Sequence, residues 1–260
     1  MATSEVSVAN GAFKVKVWTA GSGGTPLLYL HGFDGSVGEA SFLQRLAETR
    51  QVIAPEHPGF GTSTGIERID DIIDMALYYR QFVETMGLAQ VDIVGHSLGG
   101  MFAAEIAALS PYLVRKLVLV APFGLWLDEN QIPDLFIMSP TALQRNTWHE
   151  PESPVAQQVL SNLTAGVSGP AAVVTRAMNL SAAGKFLWPI PDRGLKKRMG
   201  LIKAPTQVIV GASDKLIDPV YGREFANRIS GAQVDVVENA GHLPQFEQED
   251  EFVRLVTKFL

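Results

Sequence analysis

The chain repeats one pattern in which a short, continuously apolar run is followed by a longer segment with helical spacing. The apolar runs cover residues 26–30, 52–54, 91–94, 117–120 and 208–210, and residues 234–237 are expected to form the last strand. Apolar runs without alternation are typical of strands buried on both faces, as in parallel sheets. The segments with helical spacing are 69–86, 98–109, 221–229 and 249–259. This order predicts an α/β fold, with helices on both faces of one twisted, mostly parallel sheet.

The N-terminal segment departs from this pattern because apolar and polar side chains alternate on both sides of Asn10-Gly11. Asn-Gly is a favoured hairpin turn, so we expect two antiparallel strands here. Together with the buried runs they give a predicted sheet of eight strands.

A second departure covers residues 123–200, where we find no convincing strand, several weak helix patterns and many large apolar residues. We expect a helical cap inserted between two parts of the α/β core, residues 1–122 and 201–260. Aromatic side chains in such a cap either line a substrate pocket or fill the cap's own small core. The candidates for the pocket are Trp126, Phe136, Trp148 and Trp188.

The most informative motif is Gly95-His96-Ser97-Leu98-Gly99, which joins the apolar run 91–94 to a helical segment. It has the form Gly-X-Ser-X-Gly, in which a serine at a sharp strand-to-helix turn adopts a strained backbone and presents its hydroxyl. Glycines two residues away on each side prevent clashes with the adjoining strand and helix. The motif predicts Ser97 as a nucleophile, and the alternative is a glycine-rich turn without a catalytic role.

The segment His31-Gly32-Phe33-Asp34-Gly35 follows an earlier buried run and belongs to the same predicted edge of the sheet. Backbone N–H groups at this position can stabilise negative charge that develops on a substrate carbonyl oxygen. We predict that Phe33 and Leu98 supply these two donors. We expect His31 to hold the loop in shape through backbone hydrogen bonds rather than to act as a base.

A serine hydroxyl becomes a useful nucleophile when an imidazole takes its proton and a carboxylate orients that imidazole. Asp214 follows the buried run 208–210, and His242 precedes the final helical segment, so we predict them as acid and base. The competing Asp218 precedes Pro219 at an expected helix start, where capping explains it. The remaining histidines are interpreted as a loop residue, an elbow-supporting residue and a cap-surface residue, respectively: His57, His96 and His149.

Taken together, these segments resemble the α/β-hydrolase family over nearly the whole chain. The resemblance is carried by His31-Gly32, Pro58-Gly59-Phe60-Gly61, the elbow around Ser97, Asp214 and Gly241-His242. It implies a serine hydrolase with Ser97, His242 and Asp214 as its catalytic residues, and a helical cap that shapes the substrate pocket. It does not identify the substrate, because this fold hosts esterases, lactonases, carbon–carbon bond hydrolases, perhydrolases, lyases and hormone receptors.

We expect carboxylic ester hydrolysis, with two alternatives that the resemblance leaves open. Hydrolases of ring-cleavage products are similar in cap size and in segment 241–247, although Phe33-Asp34-Gly35-Ser36 replaces their Gly-Pro-Gly pattern and His96 replaces their usual asparagine. A ligand receptor that retains the hydrolase site would have the same sequence features. Haloalkane dehalogenases and epoxide hydrolases are disfavoured, because they use aspartate where this chain has Ser97.

Composition limits the classes of partner and cofactor. The 260 residues carry a net charge of −6, which gives no basic field for nucleic acid or anionic lipid, so we expect a small-molecule substrate. The chain has no cysteine, which excludes disulfides, thiolate catalysis and cysteine-ligated zinc. We expect no metal or organic cofactor, because a serine–histidine–aspartate triad needs none. With no signal peptide and no run long enough to span a bilayer, we expect a soluble, cytoplasmic protein.

Overall fold

The computed structural model describes residues 2–36, 38–163 and 169–260. Its strands are β1 Ala2–Val8, β2 Phe13–Ala20, β3 Leu27–Leu30, β4 Val52–Pro55, β5 Val91–His96, β6 Val114–Val120, β7 Thr206–Gly211 and β8 Gln233–Val237. They form a single eight-stranded sheet in the order β1-β2-β4-β3-β5-β6-β7-β8. The strands from β4 to β8 pair in parallel, and β1 and β2 pair antiparallel at one edge. The predicted eight-stranded, mostly parallel sheet is therefore confirmed.

The helices are α1 Ser41–Leu46, α2 Ile72–Thr85, α3 Leu98–Leu109, α4 Pro140–Thr147, α5 Pro154–Leu163, α6 Pro170–Leu187, α7 Val220–Arg228, α8 Pro244–Glu247 and α9 Glu249–Phe259. Helices α3 and α9 have the predicted bounds, whereas α2 starts three residues later than expected. It starts there because the Asp71 carboxylate accepts the N–H groups of Ile73 and Asp74 and so caps the first turn. In the described segments no helix is both long and apolar enough to cross a bilayer.

The N-terminal hairpin has a longer connection than the sequence suggested. Val8 pairs with Phe13, so residues 9–12 form a four-residue loop rather than a two-residue Asn-Gly turn. Ala9, Asn10 and Gly11 all have positive φ angles in this loop. The hairpin itself is confirmed, and only its turn geometry differs from the prediction.

Alternate residues of each central strand face two separate cores, which places helices on both sides of the sheet. Leu28 and Ile93 face a core completed by α2, α3 and α7. Tyr29 and Val94 face the opposite core, which α1 and α9 complete. Burial on both faces explains why these strands read as continuous apolar runs in the sequence.

Three helices, α4 to α6, and two short 3-10 helices at 195–197 and 199–201 lie between β6 and β7. The segment between β6, which ends at Val120, and β7, which begins at Thr206, includes the predicted cap, 123–200, whose described part contains no strand. Residues 164–168 of the predicted cap lie outside the described residues.

A buried ion pair attaches the end of this insertion to the core. Arg198 Nε and Nη2 donate to the two carboxylate oxygens of Glu105 on α3, at 2.7 and 2.6 Å. The Glu105 side chain is completely buried, and burial raises its pKa while the Arg198 guanidinium opposes that rise. The pair is bidentate, a geometry that fixes both the distance and the orientation of the two segments.

Replacing Arg198 by methionine should lower the free energy of unfolding by about 3 kcal/mol, because it leaves a buried carboxylate without its counter-charge. Urea denaturation followed by circular dichroism measures this loss. The double variant Arg198→Met/Glu105→Leu is the matched control and should recover most of the lost stability. A double variant as unstable as the single one would show that the unpaired charge is not the cause.

Candidate active site

Ser97 lies on a tight turn between β5 and α3. Its φ and ψ angles are 57° and −116°, a region that non-glycine residues rarely occupy and that costs about 1–3 kcal/mol. The Ser97 N–H donates to Val120 O at 2.8 Å, which anchors the turn to β6. The predicted strained elbow is therefore present.

The glycines on either side of this serine are required by close backbone contacts. A Cβ atom on Gly99 would lie 2.2 Å from Leu30 O of β3, well inside van der Waals contact. A Cβ atom on Gly95 would lie 2.4 Å from Gly99 O, within the turn itself. Spacing in the motif thus follows from how closely α3 approaches β3 and β5.

The structure brings together the three side chains predicted to be catalytic, although they are far apart in the chain. His242 Nε2 lies 2.8 Å from Ser97 Oγ, and His242 Nδ1 lies 2.8 Å from Asp214 Oδ2. Because the Asp214 carboxylate only accepts, Nδ1 carries the proton and Nε2 accepts the Ser97 hydroxyl. The arrangement is that of a nucleophile, its base and the carboxylate that orients the base.

Asp214 and the competing Asp218 occupy different environments. Asp214 is buried after β7, and its second carboxylate oxygen accepts the N–H groups of Leu216 and Ile217 at 2.9 and 2.8 Å. Asp218 is exposed, and its carboxylate accepts the Val220 N–H at the start of α7. The expectation that Asp218 caps a helix is confirmed.

Backbone contacts from three directions fix the loop that carries His242. Its N–H donates to Thr147 O at the end of α4 at 2.6 Å, and its carbonyl accepts from His96 Nε2 at 2.8 Å. Glu247 accepts the Gly241 N–H through one carboxylate oxygen, and burial raises the pKa of Glu247. His96 thus links the elbow to the loop that carries His242, whereas no motif in the sequence singled out Thr147 or Glu247.

Two further histidines shape the loop after β3. His31 Nδ1 donates to Gly32 O at 2.8 Å, and His31 Nε2 accepts the His57 N–H at 3.0 Å. Burial lowers the pKa of His31 to about 4, so both ring nitrogens keep these roles in the neutral form. The predicted structural role of His31 is confirmed, and His57 stacks on it with ring centroids 3.7 Å apart.

His149 differs from its interpretation as a surface residue of the insertion. It is half-buried, and its Nδ1 lies 2.8 Å from Ser213 Oγ, next to Asp214. Its backbone N–H donates to the second carboxylate oxygen of Glu247 at 2.7 Å. His149 is half-buried because residues 146–149 run alongside the loops that carry Asp214 and His242.

The predicted oxyanion donors, Phe33 and Leu98, both have N–H groups that donate to no described residue. Leu98 is the first residue of α3, where helix geometry leaves the N–H without an internal partner. Phe33 occupies a turn closed by a hydrogen bond from the Gly35 N–H to Gly32 O. The two unpaired donors and Ser97 lie on neighbouring loops at one edge of the sheet, as an oxyanion site requires.

A cavity of about 160 Å³ lies between this edge and the α4–α6 insertion. Phe33, a predicted oxyanion donor, and Leu243, the residue after His242, line it on the side of the core. Its other lining residues are Asp34, Pro140, Leu143, Gln144, Thr147, Trp148, Leu160, Thr175, Arg176, Asn179 and Leu180. The cavity is therefore bounded by core loops on one side and by all three helices of the insertion.

The four aromatic residues predicted to bind substrate do not share this cavity. Trp148 lines it. Trp126 and Phe136 line a separate, smaller cavity of about 80 Å³ together with Leu187. Trp188 is 58% exposed on the surface of the insertion. Helical spacing alone could not separate these positions, because the order of α4 to α6 in space decides which side chain faces inward.

Within residues 2–36, 38–163 and 169–260, no three histidine, aspartate or glutamate side chains are grouped so that they could hold a metal ion.

A family model described as "Alpha/beta hydrolase family" matches residues 27–255 of the chain. Among curated relatives, the chain is 28% identical over 255 residues to the "dihydrolipoyllysine-residue acetyltransferase component of acetoin cleaving system" of Cupriavidus necator, covering 95% of this chain but 66% of that relative. It is 28% identical over 262 residues to "Monoacylglycerol lipase abhd6-B" of Xenopus laevis, covering 90% of this chain and 74% of that protein. The chain thus spans about two thirds to three quarters of these relatives' length.

Other relatives match over nearly their full length. A "2-hydroxy-6-oxononadienedioate/2-hydroxy-6-oxononatrienedioate hydrolase" of Comamonas testosteroni is 25% identical over 265 residues, with 95% of this chain and 91% of that protein covered. Among solved structures, an esterase from Exiguobacterium antarcticum superposes with a TM-score of 0.81 at 19% identity and covers 99% of both chains. At that identity the structural likeness establishes the fold alone.

Gly99→Ala should lower the free energy of unfolding by about 3 kcal/mol, because the new methyl group would overlap backbone atoms of β3 that cannot move independently. Chemical denaturation measures the change. Gly200→Ala is the matched control, since no atom lies within 4 Å of the position that its Cβ would occupy. Equal stability of the two variants would contradict the close approach described here.

Proposed function

This chain belongs to the alpha/beta hydrolase family, and from that membership we propose that it is a serine hydrolase that cleaves a carboxylic ester of a small molecule. The observation that carries the proposal is the unbroken hydrogen-bonded series from Ser97 through His242 to Asp214, with both distances at 2.8 Å. Members of this family share a fold but differ in reaction, so the residues of the site decide which reaction a member catalyses.

In the proposed reaction, Ser97 Oγ attacks the ester carbonyl carbon while His242 Nε2 takes the hydroxyl proton. His242 returns this proton to the departing alcohol when the carbon–oxygen bond breaks, which leaves an acyl group on Ser97. A water molecule then repeats the two steps and releases the acid. Asp214 remains ionised throughout and stabilises the transient imidazolium, a role supported by its two backbone N–H donors.

The N–H groups of Leu98 and Phe33 are proposed to bind the carbonyl oxygen as negative charge develops on it. Each such donor is typically worth about 3 kcal/mol of barrier. These two N–H groups need no rearrangement during the reaction, because the elbow fixes Leu98 and the His31–Gly32 hydrogen bond supports the turn that carries Phe33.

The α4–α6 insertion is proposed to act as a cap that shapes the substrate pocket. The cavity beneath it has an apolar part formed mainly by Leu143, Trp148, Leu180 and Leu243, which supports an ester with an apolar or aromatic portion. Trp148 is the aromatic residue of the insertion that we propose to contact this portion.

Hydrolysis of a carbon–carbon bond in a ring-cleavage product is the second candidate. It is favoured by the Comamonas testosteroni hydrolase, which matches this chain over 91% of its own length. The same nucleophile, base and oxyanion donors would serve that reaction, so the two candidates differ in substrate and not in the site.

Purified protein should release alcohol from short-chain esters over many turnovers, and Ser97→Ala should lower kcat by at least about 10⁴-fold because the nucleophile is lost. The same assay with a vinylogous ring-cleavage diketone distinguishes hydrolysis of a carbon–carbon bond from hydrolysis of an ester. Labelling by a fluorophosphonate that persists in Ser97→Ala would reject the nucleophile assignment. Labelling of the parent protein with only a single turnover would instead indicate a ligand receptor.

Asp214→Asn should lower kcat by about 10⁴-fold, since an amide cannot hold the required imidazole tautomer. Asp218→Asn is the matched control and should change kcat less than about threefold, because it affects a helix cap. Steady-state kinetics on one ester at fixed pH compares the two variants. The reverse ranking would move the acid to Asp218.

A further inference from the structure

One wall of the cavity carries polar groups that the proposed reaction does not use. Arg176 and Asn179 project from α6, and Asp34 lies opposite them on the turn that also carries Phe33. We call these three residues the polar wall. Among the described residues, the charged side chains that line the cavity are two members of this wall, Arg176 and Asp34.

Two atoms of the polar wall are buried without a hydrogen-bond partner, Arg176 Nη2 and Asn179 Oδ1. Asn179 is 6% exposed, and its amide is oriented by a 2.6 Å hydrogen bond from Nδ2 to Asp34 O. Buried polar atoms without partners are costly, and in a cavity they indicate a place that a ligand or an ordered water fills.

Among the described residues the Asp34 carboxylate has no hydrogen-bond donor, and Arg176 and His242 act on it only through their charge. Burial raises its pKa to about 6, against the opposing influence of His242 and Arg176. At neutral pH the polar wall therefore offers a cationic donor on the cap side and an anionic acceptor on the core side.

Three other polar side chains that line the cavity already donate a hydrogen bond. They donate to backbone carbonyl groups: Gln144 to Pro151, Thr147 to Leu143 and Thr175 to Ala171. Beside these side chains, the polar wall contributes the unpaired donor Arg176 Nη2 and two acceptors, Asn179 Oδ1 and the Asp34 carboxylate.

We infer that the polar wall binds a neutral hydroxylated group of the substrate, such as a diol carried on the alcohol or acyl portion of the ester. A hydroxyl accepts from Arg176 and donates to Asn179 Oδ1, and a second hydroxyl donates to the Asp34 carboxylate. A carboxylate would match Arg176 but would face two acceptors, and an ammonium group would face the Arg176 charge. This inference rests on the proposed ester hydrolysis and adds the class of substrate.

Binding to the full-length Ser97→Ala variant tests the polar wall separately from chemistry. Calorimetry would compare propyl butyrate with 2,3-dihydroxypropyl butyrate, propyl 3,4-dihydroxybutyrate and 2-carboxyethyl butyrate. At least one diol ester should bind about tenfold more tightly than propyl butyrate, since one hydrogen bond to a charged group is of that size. The carboxylate ester should bind no more tightly than propyl butyrate.

Two further substitutions in the Ser97→Ala background show which groups are responsible. Arg176→Met should abolish the preference for the diol, whereas Arg145→Met, which removes an exposed arginine of α4 outside the cavity, should preserve it. Asp34→Asn should increase affinity for the carboxylate ester about tenfold, because Arg176 is then unopposed.

The inference is overturned if neither diol ester binds more tightly than propyl butyrate, if the carboxylate ester binds best with Asp34 intact, or if Arg176→Met keeps the diol preference. Turnover of propyl butyrate by the unsubstituted protein reports on ester hydrolysis alone. A protein that binds the diol esters as expected but turns none of them over would refute the proposed function and leave the polar wall supported.

Discussion

The close approach of α3 to β3 and β5 is the constraint on which the rest of the site depends. It holds Ser97 in a backbone conformation that a serine avoids on its own. The neighbouring Leu98 N–H has no partner among the described residues, because Leu98 is the first residue of α3. The packing that permits this conformation uses the absence of side chains at Gly95 and Gly99. Burial of the sheet on both faces supplies the stability that offsets the local strain.

The insertion contributes to the same edge of the sheet in two ways. It encloses the cavity, and it also contacts the loops that carry the proposed catalytic groups. Thr147 accepts the His242 N–H, and Asn179 donates to the carbonyl of Asp34 beside the Phe33 turn. A movement of α4 or α6 would therefore alter both the cavity and the loops that carry His242 and Phe33. The same few hydrogen bonds therefore connect the enclosure of the cavity with the positions of these loops.

The cavity combines an apolar part with opposed charges, and this combination restricts the ligands that fit. Apolar contact by Trp148 and Leu243 favours hydrocarbon, while Arg176 and Asp34 disfavour a ligand group of either charge. A substrate with an apolar portion and neutral hydroxyl groups satisfies both requirements. Members of this family differ in reaction although they share a fold, so this restriction comes from the side chains of the cavity.

The sequence by itself determined the sheet, the bounds of α3 and α9, and the candidate residues Ser97, Asp214 and His242, because each depends on local signals. Continuous apolar runs reveal strands buried on both faces, and the glycine spacing reveals a crowded turn. The contribution of Thr147, Glu247 and Asn179, and the separation of Trp148 from the other three aromatic residues, were decided by tertiary structure alone. These depend on contacts between segments up to 145 residues apart, such as Asn179 with Asp34. Local periodicity carries no information about which distant loop a helix of the insertion will meet.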